Sequence, residues 1–146
     1  MRLVWLAAAL VVAGCSSSGS ADDRFLPDST SPQSAAELEA NAGVRLPSGT
    51  VLLSAARTSL SGGLESRVMA QLRMPASAVP RFLANSGFEA AVPDQRTITD
   101  KDFPDSGTWH PDKATKVAGV IDGNRKVMVD LGHPEDVTVY VVTFQS

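Results

Sequence analysis

Near the C-terminus, apolar residues occupy both parities of one short stretch. Across residues 137–145, Val137, Val139 and Val141 fall on one face, and Tyr140, Val142 and Phe144 on the other. A strand that is apolar on both faces is covered on both sides, so this segment is expected to lie in the middle of a sheet. Upstream, residues 116–121 and 125–131 flank Asp122-Gly123-Asn124, a turn signal between two apolar runs. Two registers compete. A two-residue Asp-Gly loop places Lys116 opposite Val129. A three-residue loop groups Val117, Gly119 and Ile121 with Val127 and Val129, and gathers Lys116, Lys126 and Asp130 on the other face. A slip of one residue exchanges the faces, so the cleaner pattern is preferred, which is the three-residue loop. Residues 50–57 and 65–73 read as a further hairpin across the Gly62-Gly63 cluster, with Val68, Ala70 and Leu72 on one face.

Two segments carry a helical period instead. Ser34 and Glu37 form a capping-box pattern ahead of a short helix that Gly43 ends. Downstream, Val79, Phe82 and Leu83 stand at i, i+3 and i+4, with Ser77 as the expected N-cap and Pro80 in the first turn, where its missing N–H costs nothing. Gly87 suits the position after the helix, and Phe88 would pack back on Leu83 in a Schellman motif. These elements together predict an α+β domain: a mostly antiparallel sheet of about five strands with one or two helices packed on it.

Residues 1–33 show neither period. Arg2 precedes an uncharged apolar run over residues 3–13, the length of a secretory signal core and too short to span a bilayer. The run ends in Val12-Ala13-Gly14-Cys15. This resembles the lipobox of bacterial lipoproteins, in which an aliphatic residue and two small ones precede a cysteine. The resemblance covers residues 1–15 alone. It implies that residues 1–14 are a cleaved signal peptide and that Cys15 is alkylated by a diacylglyceryl group. Two acyl chains on one residue give stable anchoring where one is marginal, so the expected location is the extracytoplasmic face of the cell membrane. Residues 15–33, rich in Ser, Asp and Pro, then form a flexible tether, and residues 34–146 the globular domain.

Composition narrows the function classes. The chain has 146 residues, 43% hydrophobic, with a net charge of −3. No Lys/Arg run is present to serve as the basic patch of a nucleic-acid binder. Cys15 is the single cysteine, so neither an internal disulfide nor a cysteine-based zinc site can form. No cofactor is expected.

The candidate chemistry lies in residues 89–115, a stretch without strong period and long for a loop. Asp100, Asp102 and Asp105 could supply oxygen ligands to a calcium or magnesium ion, although the spacing departs from the EF-hand pattern. The simpler use of these carboxylates is turn hydrogen bonding. Asp105-Ser106-Gly107 matches a fragment of the serine-protease nucleophile motif by chance, because both His110 and His133 lie downstream of the serine. Phe103, Trp109 and His110 form a candidate binding surface, since Trp is favoured at interaction hot spots. The competing use of Trp109 is as a lid folded over the sheet, and that use is preferred. His133 belongs to a turn. The expectation is therefore a small lipid-anchored protein with a non-catalytic binding or envelope-assembly role and an envelope partner of unknown kind. The alternatives are a small envelope hydrolase using Asp and His of the loop, and a ligand-binding sensor marked by a deep apolar pocket.

Overall fold

The computed structural model describes residues 29–104 and 106–146. The expected signal peptide, Cys15 and most of the expected tether lie outside the described residues, as does Asp105. The expected α+β fold of about five strands is not what forms. The domain is mostly β: seven antiparallel strands in the order β1-β2-β3-β7-β6-β5-β4, with two short helices. The strands are β1 (Ser29–Pro32), β2 (Val51–Leu60), β3 (Glu65–Pro75), β4 (Val92–Pro93), β5 (Val117–Asp122), β6 (Arg125–Asp130) and β7 (Asp136–Gln145). The helices are α1 (Ala35–Ala42) and α2 (Val79–Asn85).

The two strands missing from the five-strand expectation are the two edges. β1 is polar and exposed along its whole length, so it carries no apolar alternation to read. It occupies the end of the stretch expected to be tether and pairs with β2 from Ser29↔Ser59 to Pro32↔Ala56. β4 is a two-residue strand paired with β5. Both edges contain proline, which removes a free ladder donor and suits an edge position.

β7 takes the central place that its two-sided pattern requires, between β3 and β6. One face carries Val68, Ala70, Leu72, Val127, Val129, Val139 and Val141, buried beneath Leu38 of α1 and Phe82 and Leu83 of α2. α1 begins as expected: the Ser34 side chain accepts from the Glu37 backbone, and the Glu37 carboxylate accepts from Ser34 in return. Gly43 closes the helix at φ +64°, a left-handed value that glycine adopts without strain. At the far end of α2, Phe88 N–H donates to the Leu83 carbonyl and Gly87 N–H to that of Ala84, which is the Schellman pattern. Its start differs from expectation. Ser77 lies in a 3₁₀ turn over Ala76–Ala78, and Ala78 occupies the N-cap position without a side-chain bond. Arg125 joins the two helix ends: Nη1 donates to the carbonyls of Gly43 (3.0 Å) and Ser86 (2.8 Å), and the guanidinium lies 4.1 Å above the Phe88 ring.

The β5–β6 hairpin adopts neither expected register. Asp122 pairs with Arg125, which leaves a two-residue loop of Gly123 and Asn124. Gly123 has φ +57°, whereas Asn124 stays outside the left-handed region, the arrangement of a type II′ turn. The preferred register assumed one polar face turned to water. In the fold both faces are covered, and Lys126 and Asp130 share the second face with the buried Val117 and Met128.

Candidate functional site

Residues 94–115 cover that second face. No helix packs there. The chain crosses it in extended pieces and two single 3₁₀ turns, Asp100–Asp102 and Pro111–Lys113. Ile98, Trp109 and Ala114 point into a core with Ala56, Met69, Val117, Met128, Tyr140 and Val142. Trp109 is 2% exposed, so it is a lid residue and not a surface anchor. Its indole N–H donates to the Thr99 carbonyl at 3.0 Å, and its ring meets Tyr140 and Phe103 edge to face.

The lid is held by polar contacts that the sequence does not signal. The guanidinium of Arg96 donates to the carbonyls of Pro111 and Ala114, drawing the two arms of the lid together. Thr97 donates its hydroxyl to the Val127 carbonyl at 2.7 Å. At Gly119 the lid touches the sheet: a Cβ there would stand 2.7 Å from Thr97 Cγ2 and nearer still to the Gln95 carbonyl oxygen. Only glycine allows that approach.

The candidate metal ligands serve the lid as well. Asp102 Oδ1 accepts from Lys126 Nζ at 2.8 Å, and Oδ2 accepts from the Thr99 backbone at 2.9 Å. Asp100 Oδ1 accepts from the Asp112 backbone at 2.9 Å. His110 is exposed: its Nε2 lies 3.0 Å from the Gly107 carbonyl and its Nδ1 3.8 Å from Asp100 Oδ2. Asp100 and Asp102 are thus engaged by different partners, and among the described residues no three His, Cys, Asp or Glu side chains converge as a metal site. Phe103, the third expected binding residue, is half-buried against the lid core. His133 is exposed in the turn before β7.

One titratable group beneath the lid is shifted. Burial pushes the Tyr140 phenol above its usual value of 10.0, and the carboxylates of Asp130 and Asp100 push it further the same way.

Two recesses flank this architecture. An open apolar groove of about 440 Å³ runs beside α2, lined by Val79, Leu83, Phe88, Ala91, Leu131 and Val137. The other, about 240 Å³, lies between the lid and strands β1–β3, where Thr30, Thr58, Leu60, Arg67, Met69 and Phe103 meet. Of the residues lining this cleft, Asp102 and Phe103 are prominent in the sequence. Arg67 sits on the strand parity that the alternation of β3 assigns to solvent, and Thr30 lies within the expected tether.

Compared with protein-family models, curated proteins and solved structures, the chain matches none.

Proposed function

We propose that this protein is a lipid-anchored module displayed on the extracytoplasmic face of the cell membrane, with a non-catalytic binding or envelope-assembly role. The observation that carries the reading is Val12-Ala13-Gly14-Cys15 at the end of an uncharged apolar run behind Arg2. Cys15 is the attachment point for two acyl chains, and the mostly-β domain is what the anchor presents. The binding role is supported by how the loop spends its chemical groups. Asp102 is spent on Lys126 and on the Thr99 backbone, and Asp100 on the Asp112 backbone. These carboxylates are among the groups a hydrolase of this sequence would draw on.

Cell fractionation with external protease tests the proposal. The unmodified sequence is expected in the membrane fraction and open to protease added outside intact cells. Cys15→Ala is expected to leave the membrane pool. Membrane partition unchanged by that substitution contradicts the anchor. Full protection from external protease contradicts the placement.

A further inference from the structure

The cleft between the lid and β1–β3 is lined by apolar, hydroxyl and charged side chains, the charged ones being Arg67 and Asp102. Leu60, Met69 and Phe103 give it an apolar wall. Thr30 and Thr58 give it two hydroxyls, whose oxygens lie 3.0 Å apart and share one hydrogen between them. Each hydroxyl carries its own hydrogen, so one donor remains for a third party. Arg67 supplies the positive charge. Its guanidinium carbon lies 4.7 Å from the centre of the Phe144 ring, a cation–π contact.

Among the described residues Arg67 is under-satisfied. Of its five N–H donors, one on Nη1 meets the Asp102 carbonyl at 2.9 Å. Its Nε is buried without an acceptor among the described residues. The carboxylate that lines the cleft, that of Asp102, is bound to Lys126 and to the Thr99 backbone. Among the described residues Arg67 forms no ion pair. Among the described residues, the Asp102 carboxylate that lines the cleft is thus compensated by Lys126, and Arg67 has no counter-charge. A buried or half-buried guanidinium without a counter-charge favours an anionic acceptor.

We infer that this cleft binds a small monocarboxylate with an apolar body, the carboxylate on Arg67 and the Thr30–Thr58 hydroxyls and the body against Leu60, Met69 and Phe103. One uncompensated cation suits a single negative charge better than the double charge of a phosphate monoester. The volume, about 240 Å³, suits a small organic acid. The inference rests on the domain being a binding module and is independent of the lipid anchor.

Phenylacetate and phenylacetamide are nearly identical in shape and differ in charge. Each is titrated into the full chain in detergent, with backbone amide shifts followed by NMR. Phenylacetate is expected to saturate in the millimolar range, with shifts centred on Thr30, Thr58 and Phe103. The amide is expected to bind at least about tenfold more weakly, the loss of one charge-assisted hydrogen bond. Arg67→Met is expected to remove the difference between them. Equal binding of acid and amide overturns the inference, as do shifts centred on the α2 groove or an absence of saturation. If Arg67→Met does not fold, the acid-to-amide ratio on the unsubstituted chain decides alone. A chain that stays on the membrane and ignores the acid overturns this inference and not the anchor; a chain that binds the acid after losing its membrane attachment does the reverse.

Discussion

Trp109 and Tyr140 meet edge to face across the lid–sheet boundary, with ring centroids 5.1 Å apart and planes at 84°. Trp109 comes from an irregular loop and Tyr140 from the central strand. Their contact joins the lid, which is built of extended pieces and 3₁₀ turns, to the centre of the sheet. The second core forms around it, and the polar tip of Trp109 is satisfied within the lid by Thr99.

Trp109→Ala should therefore act on stability. Removing a buried Trp from a core costs about 3–5 kcal/mol, and the lid has no helix to hold it in place. Chemical denaturation of both forms gives the difference. Trp109→Phe should recover part of the loss and remain short by about 1 kcal/mol for the missing indole hydrogen bond. An alanine variant within about 0.5 kcal/mol of the parent, the range of ordinary surface substitutions, would return Trp109 to the role of an exposed anchor.

Gly119→Ala adds a single methyl group where the lid backbone is already in contact. The nearest obstacle is the backbone carbonyl of Gln95, with both branches of Thr97 just behind it. That backbone is held in turn by the bond from Asp94 N–H to the Val117 carbonyl and by Thr97 on Val127. Overpacking of this kind costs about 1–3 kcal/mol. The thermal midpoint should fall, and hydrogen exchange should accelerate across residues 94–99 before it does in β3 or β7. Unchanged exchange in the lid would show that the contact is not tight.

The fold makes the same distinction between what the sequence displays and what it conceals. Both helices are legible because their signals are local: Ser34 with Glu37, Gly43, and Gly87 with Phe88 need no knowledge of the rest of the chain. The central strand is legible because Val137 to Phe144 is apolar on both parities. The lid is not, since Ile98, Trp109 and Ala114 follow no period, and a covering layer without regular structure imposes none. The hairpin register fails for the same reason. Lys126 marks a solvent face only if that face is bare, and here it reaches Asp102 of the lid. β1 is concealed by its polarity and β4 by its length, so the sheet reads as smaller than it is. Arg67 is concealed among the outward-facing positions of a strand whose outward face turns out to be covered.

Alkaline pH should weaken the fold through Tyr140. Its phenol is raised in the folded state, chiefly by burial and then by Asp130 and Asp100. Below the unfolded value both states carry the proton and stability is unaffected. Above it the unfolded chain ionises first, so the folded state binds more protons and stability falls as pH rises through the folded value. Tyr140 is the single tyrosine of the chain, so tyrosinate absorbance reports it directly. The midpoint is expected above 10, and Tyr140→Phe should remove the tyrosine-linked part of the alkaline loss. A midpoint at or below 10 would mean that the lid does not exclude water from the phenol.

The proposed anchor at Cys15 would make this domain a displayed module, and the intact mass of the chain recovered from membranes tests it in one measurement. The expected mass is that of a chain beginning at Cys15 and carrying a diacylglyceryl group on its thiol, with Cys15→Ala yielding no such species. A chain that retains residues 1–14, or one cleaved elsewhere with a free Cys15 thiol, would contradict lipid anchoring.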